Sequence, residues 1–434
     1  MNRRQGRGVK LLEGLGFPPG LTEIQKRNFI NVQIDGIAVG LWGAAGPFLP
    51  VFLARLGASN FQVGLLTSMP ALTGLFLALI VGRFIQTRKQ AVPWYSTARL
   101  LVVSAYGLTG LVPFLVPRDF QVTAILLIWA LVTLPQIIVN VTFSVVMNAV
   151  AGPQHRYELM SRRWSTLGLT TAITVAIVGQ LLDRLGFPIN YQVVFLGLSF
   201  GGLISYYYSS HIQLPDAEPP PRVAGQSLAQ QFHGYVNLIR SEPAFGAFML
   251  KRFVYISGTT LGTPLFPLYF VREVRASDAW IGVINMVQAG IVLVGYVFWT
   301  RQSKVRGSRF VLLWTTLGLA LYPILTAITH DVAVIALYAG IAGIFQAGLD
   351  LVFFDELMKT FPAKYSATFV SLAQSLQHFS TVASPIIGTM LADQIGISGA
   401  LIVSGTLRLT GFVMFAWGGR QTARQDQRSE IRDQ

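Results

Sequence analysis

The sequence contains no cysteine and is poor in charged residues. Without cysteine the chain can form neither disulfide bonds nor thiolate metal sites. Only 12% of the 434 residues are charged and 52% are hydrophobic. A typical soluble domain has about 25% charged residues. So few charges cannot cover a water-facing surface of this size, and the composition therefore predicts a membrane protein.

The sequence also lacks the motifs that would mark a zinc metalloenzyme or an ATP-driven pump. It contains neither a GxxxxGK phosphate loop nor an HExxH zinc motif. No segment between the apolar runs is long enough to hold a nucleotide-binding domain. We therefore expect no catalytic activity, no metal site and no cofactor.

Twelve apolar runs are each long enough to cross a hydrocarbon core, which needs about 20 residues. They cover residues 29–52, 61–82, 93–115, 121–149, 164–185, 191–212, 245–270, 279–300, 309–329, 332–357, 366–392 and 398–418. The first run follows a long basic lead without a small-residue cleavage site, which argues against a cleavable signal peptide.

The net charge of +14 is distributed in short clusters between the apolar runs. A nucleic-acid-binding protein would gather its cations on one folded face, so we expect no nucleic-acid partner. The segments joining the runs alternate between a side with 27 cations and a side with 5. The positive-inside rule then puts both termini in the cytosol and the chain in the plasma or inner membrane.

The second half of the chain repeats the first. PFLPVFLARLGASNFQVG at 47–64 returns as PLFPLYFVREVRASDAWIG at 264–282, and further matches follow at a spacing of 210 residues. The repeat is parallel and predicts two similar bundles of six helices. The predicted regions are a cytosolic tail (1–27), a bundle (28–213), a cytosolic linker with an amphipathic helix (214–244), a second bundle (245–419) and a cytosolic tail (420–434).

Two six-helix halves with a cytosolic linker and cytosolic termini resemble the major facilitator superfamily. The proline-rich end of the first helix, the ASNFQVG entry to the second, and the glycine and cations that follow it add to this resemblance. It implies an all-α, polytopic membrane protein in which two pseudo-symmetric bundles enclose a central cavity. That cavity would be lined mainly by helices 1, 4, 7 and 10. One departure is Gln86, which occupies the place of the family's loop aspartate.

Charged groups inside the predicted spans are the first candidates for function, because a charge at a helix centre costs roughly 2.5–3.5 kcal/mol. Asp35 and Arg252 hold equivalent places, each 15 residues before a matched proline. The hypothesis is that Asp35 binds a proton or a cationic substrate and is balanced by Arg252 or Lys251. The alternative is that both side chains extend to the inner headgroups.

Three further groups of polar residues are candidates for binding and gating. Gln346 and Asp350 share one helix face and match Gln136 and Asn140, either as a ligand site or as interhelical contacts. Gln374, Gln377 and His378 form a stripe that relays protons or makes structural hydrogen bonds. The predicted gating residues are Arg83, Arg88, Lys89, Arg301, Arg306, Asp355 and Glu356. We expect the carboxylates of Asp355 and Glu356 to bind cations of the inner loops. Arg408 lies inside the twelfth run without an evident partner.

Together these features predict a secondary active transporter that moves a small organic solute by alternating access. We expect proton coupling, a monomer, and the lipid bilayer as the surrounding medium. Two alternatives stay open: a non-transporting assembly factor or receptor, favoured by Gln86, and a carrier of lipids or other amphiphiles. The sequence names neither the solute nor the direction of transport.

Overall fold

The computed structural model describes residues 21–86, 88–214, 242–360 and 366–430, and every regular element in these ranges is a helix. The helices are α1 (Glu23–Gly43), α2 (Phe48–Arg55), α3 (Asn60–Gln86), α4 (Val92–Leu115), α5 (Gln121–Arg184), α6 (Ile189–Ser210), α7 (Pro243–Gly262), α8 (Leu265–Arg272), α9 (Asp278–Arg306), α10 (Ser308–Ala327), α11 (Val332–Met358) and α12 (Ser366–Glu430). A short 3₁₀ turn, Arg118–Phe120, precedes α5.

Each of the twelve predicted runs overlaps one of these helices. The long α5 contains the fourth and fifth runs, and α12 contains the last two, with a break at Gly396 where φ is 80°. The equivalent first and seventh runs are each divided into a long and a short helix. Within the described ranges, nine stretches are long and apolar enough to cross a membrane. The predicted all-α, polytopic membrane fold is therefore confirmed, and the helices are consistent with twelve spans.

Side-chain caps explain where several helices begin. Thr22 accepts from the backbone N–H of Gln25, whose side chain accepts in return from Thr22, so α1 starts at Glu23. The predicted tail thus turns helical before residue 28. Ser59 caps α3 through the same exchange with Gln62. Ser277, which matches Ser59 in the repeat, caps α9 by accepting from the backbone N–H of Trp280.

The contacts divide the chain into two compact units. The first comprises Met1–Leu49 and Phe76–Arg222, and the second comprises Pro50–Leu75 and Val223–Gln434. The helix α2 and the first part of α3 therefore group with the second half of the sequence. The predicted amphipathic helix of the linker falls mostly within 215–241, outside the described residues.

An apolar core supports the functional side chains of the first unit. Phe29 and Val32 of α1, Tyr95 of α4, and Val146 and Val150 of α5 are all buried in one cluster. This packing joins α1, α4 and α5 and fixes the rotation of α1. It therefore decides which neighbours Asp35 meets.

Candidate functional site

Asp35 is completely buried at the centre of a polar cluster in the first unit. Both of its carboxylate oxygens accept from Nη1 of Arg99 at 2.6 Å. Nη2 of Arg163 donates to Oδ2 at 3.3 Å, and Oγ of Ser205 donates to Oδ1 at 2.6 Å. The Tyr95 hydroxyl donates to Oδ2 at 3.5 Å and also accepts a hydrogen bond from Nη2 of Arg99. We call these five residues the Asp35 cluster.

The Asp35 cluster holds one carboxylate and two guanidinium groups. Aromatic rings lie next to both cations: Arg99 is 4.3 Å from the ring centroid of Tyr95, and Arg163 is 4.8 Å from that of Phe143. Such contacts stabilise a desolvated cation by about 2 kcal/mol. The cluster therefore keeps one excess positive charge inside an apolar core, with Asp35 as its central acceptor.

The partners of Asp35 differ from the sequence prediction. We expected Arg252 or Lys251 to balance it, and we placed Arg99 and Arg163 with the cations of the cytosolic loops. The structure puts Arg99 and Arg163 at 4% and 2% exposure instead. The reason is helix length, because α4 begins at Val92 and α5 runs without a break to Arg184, so both arginines lie on helices. The spacing of Tyr95 and Arg99 by one helical turn was the sequence feature that could have indicated a helical position for Arg99.

Two arginines at matched positions make reciprocal contacts in the second unit. Nη2 of Arg55 donates to Oδ1 of Asp278 at 2.8 Å and to the carbonyl oxygen of Ala276 at 3.2 Å. Arg272 donates to Oδ1 of Asn60 and to the carbonyl oxygen of Ala58. Arg55 and Arg272 are equivalent in the repeat, as are Ala58 and Ala276. We call Arg55, Asp278, Arg272 and Asn60 the reciprocal latch.

The polar pairs at Gln136 and Gln346 form as the helical spacing predicted. Nε2 of Gln136 donates to Oδ1 of Asn140 at 3.1 Å within α5, in the first unit. In the second unit, Nε2 of Gln346 donates to Oδ1 of Asp350 at 2.8 Å within α11. The sequence did not predict the third contact, in which the Tyr296 hydroxyl of α9 donates to Oδ2 of Asp350 at 3.2 Å.

Asp350 is exposed, although it lies inside the apolar helix α11. It is eight residues before Met358, which corresponds to about 12 Å at 1.5 Å per residue. Among the described residues, no lysine, arginine or histidine forms an ion pair with it. Within the described ranges, its charge is offset by the neutral donors Tyr296 and Gln346.

The stripe predicted on α12 meets α7 and α3 within the second unit. Oε1 of Gln377 accepts from Nη2 of Arg252 at 2.9 Å. His378 is half-buried and faces Gly74 of α3, where an added Cβ would lie 3.7 Å from the imidazole. Gln374 is exposed. The residues of the stripe thus face different neighbours, and Gln377 is the one that contacts a charged group.

The predicted gating carboxylates Asp355 and Glu356 bind Lys359, which lies just after α11. Nζ of Lys359 is 2.6 Å from Asp355 and 3.1 Å from Glu356, and Ser308 donates to Glu356 at 2.5 Å. Partial burial alone would lower the pKa of Lys359, but hydrogen bonds and the charges of both carboxylates raise it overall. We expected Arg301, Arg306 or another inner-loop cation as the partner, and the structure shows Lys359, which lies one turn away on the same face.

The other predicted gating cations lie near aromatic rings or in solvent. Arg306 lies 4.8 Å from the ring centroid of Phe310, and Arg88 lies 4.2 Å from that of Phe84. Arg301 and Lys89 are exposed, and the side chain of Arg83 lies outside the described residues.

Arg408 finds its partners among backbone carbonyls. Its Nη1 donates to the carbonyl oxygen of Leu319 at 3.1 Å, and its Nη2 to that of Thr259 at 3.5 Å. Pro323 lacks the N–H that would otherwise bond Leu319, because the two residues are four apart in α10. The guanidinium therefore replaces a missing helix hydrogen bond.

One short pattern typical of serine hydrolases lies in α6. The residues GLSFG at 197–201 fit G-x-S-x-G, but a nucleophile of this type needs a strand-to-helix turn. Ser199 lies inside a continuous helix and donates to the carbonyl oxygen of Leu196 at 2.7 Å. This geometry does not expose the hydroxyl as a nucleophile.

Comparisons with known proteins agree with this helical architecture. Residues 248–434 match the family model described as Major Facilitator Superfamily. No curated protein gives a significant sequence match to this chain. Three solved structures with the same fold are the D-xylose-proton symporter, a bacterial homologue of the iron transporter ferroportin, and a mutant of the nucleoside transporter NupG.

The likeness to these three structures extends over almost the whole chain at low sequence identity. The alignment with the symporter has a TM-score of 0.65 at 13% sequence identity, and it covers 90% of this chain and 96% of the symporter chain. The ferroportin homologue has a TM-score of 0.68 at 14% identity, with coverage of 92% and 98%. The NupG mutant has a TM-score of 0.69 at 9% identity, with coverage of 91% and 99%. The chain is thus a polytopic membrane protein with the major facilitator fold, and residues 248–434 carry the sequence pattern of that superfamily.

Proposed function

We propose that this protein is a secondary active transporter that moves a small organic solute by alternating access, with protons as the coupling ion. The observation that carries the proposal is the exposed carboxylate of Asp350 inside a helix able to cross the membrane. A carboxylate facing lipid would cost roughly 2.5–3.5 kcal/mol. Asp350 is therefore expected to face water, which implies a hydrated path into the bilayer.

We assign the proton-carrying role to Asp350 because its neighbours can form hydrogen bonds with both its protonated and its ionised form. The Tyr296 hydroxyl and the Gln346 amide donate to it as a carboxylate. Both groups have rotatable donors and acceptors, so they can reorganise when Asp350 takes up a proton. Asp35, in contrast, is bound by two arginines and positions helices α1, α4, α5 and α6. We further propose that the protein lies in the cell membrane with both termini in the cytosol, in accord with the charge distribution between the spans.

The first test is a solute screen in proteoliposomes that contain a pH-sensitive dye. A coupled solute should move protons together with itself, and an imposed pH gradient should drive its accumulation. A complete lack of protein-dependent flux across all solute classes would contradict the proposal and favour a receptor or assembly factor.

Replacement of Asp350 by asparagine should abolish accumulation driven by a pH gradient while preserving exchange of labelled solute at equal concentrations. Asparagine keeps the shape of the side chain but cannot take up a proton. The measurement compares both fluxes in the same proteoliposomes. Asp119→Asn serves as the matched control, because Asp119 is exposed in the 3₁₀ turn before α5. Unchanged accumulation by the Asp350 variant would exclude Asp350 as the coupling residue.

A further inference from the structure

A small cleft lies between α7 and α12 in the second unit, next to Arg252. Its empty space totals about 170 Å³. It is lined by Met249, Arg252, Phe253, Ile256, Ala373, Leu376 and Gln377. The walls are thus apolar except for one guanidinium on α7 and one amide on α12, which are hydrogen-bonded to each other.

Arg252 has unused hydrogen-bonding capacity. A guanidinium carries five N–H donors, and among the described residues one acceptor is present, Oε1 of Gln377, which accepts from Nη2. Nε is buried and has no hydrogen-bond partner. The ring of Phe353, with its centroid 5.7 Å from the guanidinium, supports one face of the group. Arg252 is therefore held in place on two sides while most of its donors are free.

The charge of Arg252 is also unpaired within the part of the chain that the structure describes. Among the described residues no carboxylate forms an ion pair with it. The segment 361–365, which lies outside the described residues, contains no acidic residue either. The contrast with Arg99 and Arg163 is direct, because both of those arginines bind Asp35. A partly buried cation without a counter-ion is costly, and an anion supplied from outside the protein would offset that cost.

We propose that this cleft is a binding subsite for the acidic group of an amphiphilic organic monoanion. The inference rests on the proposed transport function and narrows its substrate class. Arg252 would bind two oxygens of a carboxylate or sulfonate through its planar fork, and Gln377 would fix the orientation of that fork. The apolar side chains of Phe253, Ile256 and Leu376 would contact the attached hydrocarbon or aromatic group.

The size of the cleft favours a small acid over a large drug-like molecule. The space of about 170 Å³ includes the open mouth of the cleft, so the enclosed part is far smaller than pockets for drug-sized molecules, which enclose about 300–1,000 Å³. The enclosed part takes no more than the acidic end of a ligand, and the attached apolar group would lie at the mouth. A bare inorganic anion would leave the apolar wall without a partner, so a simple aromatic carboxylate is the appropriate probe.

The test measures binding of benzoate to the purified full-length protein by isothermal titration calorimetry. Benzyl alcohol and benzyltrimethylammonium provide an uncharged and a cationic probe of similar size. Benzoate should bind at least about tenfold more tightly than either, because charged hydrogen bonds contribute more than neutral ones. Benzenesulfonate, which stays ionised at all working pH values, should retain this preference.

Substitutions then assign the preference to Arg252. Arg252→Gln should weaken benzoate binding by at least about tenfold, and Arg252→Lys should have an intermediate effect because lysine keeps the charge without the fork. Lys251→Gln is the matched control and should change the affinity by less than about twofold. Thermal denaturation of each variant verifies that the fold is intact. Equal binding of benzoate and benzyl alcohol, or an unchanged affinity in Arg252→Gln, would refute the subsite.

The outcome also separates this inference from the proposed transport function. Binding of benzoate that depends on Arg252, without any solute flux in proteoliposomes, would support the subsite and contradict transport. Proton-coupled flux of a solute that Arg252→Gln leaves unchanged, together with no preference for benzoate, would support transport and contradict the subsite.

Discussion

Replacement of Asp35 by asparagine is expected to cost roughly 3–5 kcal/mol in the free energy of unfolding, as found for other buried ion pairs that lose one partner. Asparagine still offers an oxygen to Arg99 and Ser205, so little volume or shape is lost. The charge balance changes completely, because Arg99 and Arg163 are buried and Asp35 is the carboxylate that both contact. Two guanidinium groups would then lie in one apolar core without a counter-ion.

The companion variants test the charge argument against a simple packing effect. Arg163→Gln leaves one carboxylate with Arg99, so its cost should be about 2 kcal/mol, comparable to the lost cation–π contact of a desolvated cation. The double variant Asp35→Asn with Arg99→Gln should recover part of the stability lost by Asp35→Asn alone. Denaturant or thermal unfolding in detergent measures all of these. A stability of Asp35→Asn equal to that of the unaltered protein would show that the cluster does not need its negative charge.

A covalent link across the reciprocal latch is expected to stop transport. The chain contains no cysteine, so the pair Arg55→Cys and Asp278→Cys would introduce the only two thiols. A reducible bifunctional thiol reagent can then join the two positions, which now contact each other directly. Alternating access requires contacts between the two repeat copies to open, so the link should reduce solute flux to background. Reduction should restore the flux.

The matching pair Arg272→Cys and Asn60→Cys should behave in the same way, because it is the equivalent contact in the repeat. Each single-cysteine variant, treated with the same reagent, is the control for modification without a link. Mass spectrometry verifies the extent of linking. Full flux through fully linked protein would mean that these contacts stay closed during transport.

The helices and the repeat could be predicted from the sequence because they depend on local patterns. Apolar runs set the spans, and Ser59 and Ser277 marked equivalent helix starts. The contacts of Gln136 with Asn140 and of Gln346 with Asp350 also follow from helical spacing alone. These features need no knowledge of how one helix packs against another.

The partners of the charged groups could not be predicted, because they depend on helix rotation and on where each helix begins. Arg99 lies two turns inside α4, yet it follows the cluster of loop cations that starts at Arg83. Tyr296 reaches Asp350 from α9, and the order of the chain does not show that contact. The partners of Arg408 are backbone carbonyls, which a search for carboxylates does not find.

The reciprocal latch bears on the origin of the chain. Each matched arginine crosses to the helix start of the other copy, and both bind a backbone carbonyl and the side chain two residues further on. A self-complementary patch of this kind is what a two-fold homodimer uses, since every contact then occurs twice. A six-span ancestor pairing with itself would have had this interface before gene fusion. After fusion the two arms could diverge, and they now differ in charge: one ends on the carboxylate Asp278, the other on the neutral amide Asn60.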